Sequence, residues 1–252
     1  MNGEVLDLCE LTVLAKQAKK EQREIAQPEQ RYIAKRRFIF SQGYGNTESV
    51  SAWFRILVKR GMRDLVFMIP TEVKKRSILG FSNTSGGYLL CFRNDETISY
   101  FTAEWEFQKE ERLWHVTYRE HEWEEAPKSM AEFEDCSDSF RRVLKEIAEF
   151  ANEIDEPFFG ARFEDALEIL NGNAASLNEA KFVSSLPEKY RRIFRAADMA
   201  DVFGAMGSWN DCPPGHAEAL GRRDDYERLS NELLRQIRIN LMYAVNMFAE
   251  EE

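Results

Sequence analysis

The spacing of apolar positions changes twice along the chain. Near the start, they recur at three- and four-residue steps on Val5, Leu8, Thr12 and Ala15. The segment that follows, "KQAKKEQREIAQ", consists mostly of strong helix formers. This pattern predicts a helix from about Glu4 to Ile25, closed by Pro28.

The middle of the chain has short apolar runs, which are typical of strands. The first part reads, in order, as strand, glycine loop, helix and strand: "RRFIFSQ", "GYGNTE", "SVSAWFRILVKR" and "DLVFMIP". A helix between two such strands predicts a βαβ unit with parallel strands. The next four runs alternate apolar and polar residues and predict antiparallel hairpins: "RSILGFS", "YLLCFRN", "TISYFTAEWEFQ" and "LWHVTYREHEWE".

The last part of the chain returns to helical spacing. An apolar stripe runs from Phe140 to Ile154, and three further helices are predicted at "PFFGARFEDALEILNG", "PEKYRRIFRAADMADVFGAM" and "DDYERLSNELLRQIRINLMYAVNMF". The fold class is therefore α+β, with an N-terminal helix, a mixed sheet and a C-terminal helical module. We expect a sheet module over residues 1–127 and a helical module over residues 128–252, which can also form one compact domain.

Charge is distributed unevenly. The net charge is −10 and the pI is about 5.1. Residues 1–127 hold 19 basic and 19 acidic residues, whereas residues 128–252 hold 15 basic and 25 acidic ones. Residues 31–76 alone carry 11 basic residues against three acidic ones. This basic segment is either an anion-binding face or a surface that docks on the acidic half, and we expect the second.

Composition also indicates the cellular compartment of the protein. No run of residues is apolar enough for a membrane helix, and the first 20 residues place acids early and lysines late, the reverse of a secretory signal. The four cysteines are scattered without a CxxC pair, which fits free thiols in a reducing compartment. We expect a cytoplasmic protein without a membrane contact, a structural zinc or another cofactor.

The glycine loop between the first strand and the second helix is one candidate site. Free backbone N–H groups at a helix N-terminus bind anions, and nearby arginines strengthen such a site. The candidate anion-binding residues are Gly43, Gly45, Asn46, Thr47, Arg36, Arg37 and Arg55. The loop "SQGYGNTESV" matches neither GxGxxG nor GxxxxGK[ST], so we favour a turn followed by a helix cap.

The late strands are rich in carboxylates and histidines. His115 and His121 lie six residues apart, about 20 Å along a strand, which is too far to share a metal. Glu104 and Glu106 lie about 6.6 Å apart on one face and could serve acid/base chemistry. We favour the solvated face of an antiparallel sheet.

The segment "DVFGAMGSWNDCPPGH", residues 201–216, holds the residue types of a catalytic triad in Cys212, His216 and Asp211. The two prolines after Cys212 argue against a helix N-terminus there, so nothing is expected to activate the thiol. We predict a structural corner anchored by Trp209, with Asn210 and Asp211 bonding to the turn. A partner-contact loop is the second interpretation and a catalytic loop the third.

The same region carries a resemblance. "FGAMGSWNDCPP", followed by the helix "YERLSNELLRQIRINLMYAVN", resembles the C-terminal part of small bacterial cytosolic proteins of the toxin-immunity type. The likeness spans residues 203–246 and implies no catalytic residue. It implies that the protein acts by binding the surface of another protein.

The leading hypothesis is therefore a bacterial cytoplasmic protein that masks or regulates a partner protein, with the acidic half facing a basic partner. One alternative is an enzyme that binds a nucleotide or phosphate at Gly43–Ser49. The other is nucleic-acid binding through residues 31–76, which the low pI disfavours.

Overall fold

A computed structural model of the chain describes residues 1–29, 31–124, 132–173 and 180–249. These residues form eight α-helices and one six-stranded mixed sheet, which confirms the α+β class. The chain divides into two compact units. The sheet unit comprises residues 4–69, 86–132 and 249–252, and the helical unit comprises residues 1–3, 70–85 and 133–248. Residues 70–85 thus belong with the helices, and the predicted boundary at residues 127–128 lies outside the described residues.

The sheet unit holds two helices and all six strands. The helices are α1 (Gly3–Lys20) and α2 (Val50–Lys59), and the strands are β1 (Ile33–Ile39), β2 (Asn46–Thr47), β3 (Met62–Met68), β4 (Tyr88–Arg93), β5 (Ile98–Gln108) and β6 (Leu113–Glu122). The strand order is β2-β1-β6-β5-β4-β3. Only the β1–β6 pair is parallel among these strands, with Phe38 opposite Tyr118.

Aromatic side chains form the centre of this unit. The Phe38 ring stacks on Trp53 of α2 at 4.8 Å and on Tyr118 of β6 at 5.1 Å, measured between ring centroids. The Trp53 ring also meets Phe101 of β5 edge to face at 6.2 Å. All four side chains are buried, so α2 is fixed on one face of the sheet by ring packing.

The predicted βαβ unit is wrong. β1 and β3, which α2 connects, are separated in the sheet by β6, β5 and β4. Because β1 is parallel to β6 and each later pair is antiparallel, β1 and β3 run in opposite directions. The apolar pattern of a strand predicts its burial but not its partner, and here the partner of β1 comes from much later in the chain.

One element type and two element boundaries also differ from the prediction. "RSILGFS" is not a strand: Arg76–Gly80 forms a short 3₁₀ helix, and the Thr84 hydroxyl donates to the carbonyls of Ile78 and Phe81. α1 ends at Lys20 and not near Ile25. The helix predicted at "PEKYRRIFRAADMADVFGAM" ends at Ala200 and not at Met206. The chain turns after Ala200, and the Trp209 amide bonds to the Val202 carbonyl at 3.1 Å.

The helical unit contains six helices in its described residues: α3 (Ser137–Glu153), α4 (Pro157–Asn171), α5 (Lys181–Ser184), α6 (Glu188–Ala200), α7 (Pro213–Ala219) and α8 (Arg223–Met247). α3 and α6 each pack against both α4 and α8, so these four helices enclose one core. Pro157 at the first turn of α4 and Gly172 in the left-handed conformation (φ +83°) at its end account for the bounds of that helix.

Candidate functional site

The corner between α6 and α8 is built on Trp209. Its side chain is fully buried, and its ring contacts Phe159, Phe163 and Tyr226 with centroids 5.2, 5.3 and 5.5 Å away. The indole N–H donates to the Ser230 hydroxyl at 2.7 Å. The Tyr226 hydroxyl donates to the Trp209 carbonyl, also at 2.7 Å. Side chain and backbone of Trp209 are thus both held by α8.

Short polar contacts hold the loop above this base. The Asn210 side-chain amide donates to the Arg76 carbonyl at 3.1 Å, which ties the corner to the 3₁₀ helix. Asp211 accepts from the Gly207 amide at 2.8 Å and closes the turn. Arg76 is itself fixed by an ion pair with Glu227 of α8 at 2.7 Å. Asp211 therefore bonds to the backbone of its own turn, as predicted, whereas Asn210 bonds to the backbone of another loop.

The two loops touch through backbone at Gly80. A Cβ atom on Gly80 would lie 2.2 Å from the Ala205 amide nitrogen and 2.6 Å from the Gly204 carbonyl carbon. No side chain fits at these separations, so glycine permits the close approach. The 3₁₀ helix and the corner are consequently one packed pair of loops.

This pair of loops displays three exposed apolar side chains, which we call the apolar rim: Ile78, Phe81 and Met206. Met206 is 93% exposed, Phe81 61% and Ile78 41%. Phe81 and Met206 directly follow the residues in contact, Gly80 and Ala205, so they lie on neighbouring loops. Large apolar side chains that remain in water on a rigid base are typical of a recognition surface.

Substituting Gly80 by alanine is expected to push the two loops apart. Overpacking of this kind costs about 1–3 kcal/mol of folding free energy. Gly215 in α7 is a matched control, because a Cβ there meets nothing within 4 Å and alanine favours helix. Urea denaturation should show destabilisation by Gly80→Ala and none by Gly215→Ala. Equal stability of the two variants would contradict the close approach.

The prediction for Cys212 needs a correction. The prolines do not keep it from a helix: Pro213 occupies the first turn of α7, and Cys212 is its N-cap residue. The two residues that a catalytic loop would pair with Cys212 are engaged elsewhere in the described structure. Asp211 bonds to Gly207, and His216 Nδ1 lies 2.9 Å from a Glu156 carboxylate oxygen.

All four cysteines are free. Burial raises the pKa of the Cys91 thiol to about 12, and burial is also the first cause of the raised pKa of Cys136. A high pKa leaves little thiolate at neutral pH, so these thiols are poor nucleophiles. We expect thiol titration in denaturant to count four groups. Alkylation of the native protein at neutral pH should proceed no faster than that of a model thiol, and a much faster reaction at Cys212 would contradict this.

The candidate anion loop folds as a tight turn that leads back to β1. Gly43 and Gly45 both have φ of +78°, and Asn46 and Thr47 pair with β1 as the short strand β2. Ser49 caps α2, its hydroxyl accepting from the Ala52 amide at 3.2 Å. These residues thus have the geometry of a turn and a helix cap.

The three arginines proposed for that anion site are not alike. Arg36 is buried, and its guanidinium lies 2.6 Å from an Asp7 carboxylate oxygen. Arg37 is exposed, since neighbouring residues of a strand point to opposite faces. Arg55 is exposed on α2 and its Nε lies 3.4 Å from the Ser51 carbonyl. The structure therefore removes Arg36 from the set, because Asp7 already neutralises it.

His115 and His121 of the late strands are partly exposed, as expected for a sheet face in contact with solvent. Glu104 and Glu106 are exposed. His115 Nε2 lies 3.3 Å from Glu111, whereas His121 bonds to Thr102. In the described part of the chain, no group of three or more His, Cys, Asp or Glu side chains is placed to hold a metal ion. None of the described helices has both the length and the apolar character needed to cross a membrane.

The sequence pointed to the Trp209 corner but to none of the three rim residues, and Met206 fell at the end of a predicted helix. Ile78 and Phe81 lie in "RSILGFS", which was predicted as a strand. The alternation of a strand would have turned one of the two side chains toward the core. A usable signal was the sequence "GFSNTSGG", residues 80–87, because glycine, serine and asparagine at this density favour a loop. Apolar residues beside such a loop have no regular element to bury them.

Comparisons with known proteins gave no match at a significant level. No protein-family model matches the chain, and neither does a curated protein or a solved structure. The resemblance of residues 203–246 to immunity-type proteins therefore stays a prediction.

Proposed function

We propose that this chain is a protein-binding protein of the immunity type, which masks or regulates a bacterial cytoplasmic partner, and that the apolar rim is its contact surface. The observation that carries the proposal is the exposure of Met206 and Phe81 on a fixed base. Methionine and phenylalanine are enriched in the buried centres of protein interfaces, and methionine adapts to irregular pockets.

The base beneath the rim supports this function energetically. Trp209 and Gly80 hold the loops before a partner arrives, so little conformational entropy is lost when the rim is covered. The sequence of the helical unit holds 22 acidic and 17 basic residues. This excess of negative charge attracts a cationic partner. The partner proposed is therefore a protein with an apolar pocket in a basic surface.

Affinity purification from the native cell tests the proposal with three forms of the chain. These are the wild type, Met206→Asp with Phe81→Ser, and Phe107→Ser as control, since Phe107 is an exposed apolar residue of the sheet unit. We expect one stoichiometric protein partner with the wild type and the control, and its loss with the rim variant. Far-UV circular dichroism checks that all three are folded.

Two results would contradict the proposal. One is equal recovery of the same partner by the rim variant, which would place the contact elsewhere. The other is a co-purifying nucleotide in place of a protein, which would favour the alternative site at Gly43–Ser49.

A further inference from the structure

A second surface lies in the sheet unit, away from the residues of the rim in sequence. The end of α1 and the outer side of α2 enclose a half-open groove of about 530 Å³. Its apolar floor is formed by Ile25, Phe54 and Val58. Ile25 and Phe54 are buried, but Val58 is 47% exposed on an otherwise amphipathic helix. The groove thus offers apolar surface that no described residue covers fully.

The shape of the groove comes from the way α1 ends. Gln22 adopts the left-handed conformation (φ +52°), and the Arg23 amide bonds back to the Ala18 carbonyl at 2.9 Å. This is the hydrogen bond of a Schellman cap. It reverses the chain so that Ile25 returns to the floor, and it leaves Arg23 on the wall.

Cations line both sides of the groove. Lys19 near the end of α1 and Arg23 just after it lie on one side, and Arg55 and Lys59, four residues apart on α2, lie on the other. Glu24 is the acidic residue among them. Within the described ranges, Lys19, Arg55 and Lys59 pair with no carboxylate, whereas Arg23 is bound to Glu21.

We propose that this groove binds an acidic amphipathic helix of a partner protein. An apolar ridge on such a helix fills the floor, as in other complexes where a helix lies in a groove. Acidic residues on both flanks of the helix then face the cations of both walls. A small amphiphile with a single charged head would need cations at one end only. The proposal concerns another surface than the rim, so each can fail without the other.

The test uses the whole protein and a synthetic helical peptide with leucines in one stripe and glutamates on both flanks. Binding is followed by fluorescence anisotropy of a dye on the peptide. We expect Lys19→Glu with Lys59→Glu, one change on each wall, to weaken binding by about tenfold or more. Lys74→Glu with Lys75→Glu is the control, because it makes the same change of charge at exposed residues of the helical unit. It should change the affinity less than twofold.

Three results would overturn the proposal. The first is equal binding of a peptide with the same leucines but lysine flanks. The second is equal loss of affinity in the groove variant and the control, which would indicate a general charge effect. The third is saturable binding of dodecanoate below its micellar concentration by a protein that does not bind the acidic peptide, which would assign the groove to a small amphiphile. Val58→Ser removes apolar surface and no charge, and it should also weaken binding of the acidic peptide.

Discussion

Trp209→Ala is expected to lower the free energy of unfolding by about 3–5 kcal/mol, as large truncations in a core do. The ring is fully buried against three aromatic side chains, so its removal leaves a cavity in the helical unit. It also removes the donor to Ser230, which has no exposure to water. Because the same residue supports the rim, the variant should lose partner binding as well.

Urea denaturation followed by circular dichroism measures this effect. Trp209→Phe is the matched control, since it keeps an aromatic ring in the core but loses the indole N–H and part of the ring volume. Losing that one hydrogen bond should cost about 1 kcal/mol beyond the change in packing. An unchanged midpoint for Trp209→Ala would show that the corner does not contribute to the stability of the fold.

Glu120→Gln is expected to destabilise the sheet unit by a similar amount, about 3–5 kcal/mol, because it breaks a buried ion pair from one side. The Glu120 carboxylate lies 2.6 Å from Arg60 and 2.8 Å from Arg93. It also accepts from the Ser99 hydroxyl at 2.7 Å and the Ser41 amide at 3.0 Å. Glutamine keeps the shape but leaves two buried guanidinium groups with Glu122 as their remaining carboxylate.

Glu122→Gln provides the control, since Glu122 bonds to the same two arginines but is 27% exposed on its side chain. Solvent screens that position, so we expect a loss of about 1 kcal/mol or less. A loss for Glu120→Gln no larger than that for Glu122→Gln would contradict the account of this cluster.

The pH dependence of stability follows from the same contacts. Burial alone would raise the pKa of Glu120, but hydrogen bonds from Arg60 and Ser99 outweigh it and hold the pKa below its usual value. A carboxyl group whose pKa falls on folding stabilises the protein above its unfolded pKa of about 4.3. That stability is lost as the pH falls through the folded pKa. The difference between wild type and Glu120→Gln should therefore shrink below about pH 4, and a constant difference would contradict it.

The longer helices and the late strands could be predicted because local signals mark them. Ser49 caps α2, Pro157 opens α4 and Gly172 ends it, and each signal depends on neighbouring residues only. The partner of β1 could not be predicted this way. Its parallel contact with β6 joins Phe38 to Tyr118, and no local pattern at either residue specifies the other.

One part of the candidate site could likewise be predicted from neighbouring residues, and the other part depends on a contact between distant ones. Trp209 stood out as a large ring among glycines, so its role as an anchor was predicted from its neighbours. The rim depends on contact between Gly80 and Ala205, residues far apart in the chain. Met206 and Phe81 are exposed beside that contact, and exposure is a property of the folded chain that composition does not carry.

Site-specific photo-crosslinking in the native cell tests the binding surface most directly. A photoreactive amino acid replaces Met206 in one form of the chain and Phe107, an exposed residue of the sheet unit, in the other. If the rim is the contact surface, the form labelled at position 206 gives one discrete protein adduct on illumination, and the form labelled at position 107 does not give that adduct. No discrete adduct from position 206, or the same adduct from both positions, would contradict a partner bound at the apolar rim.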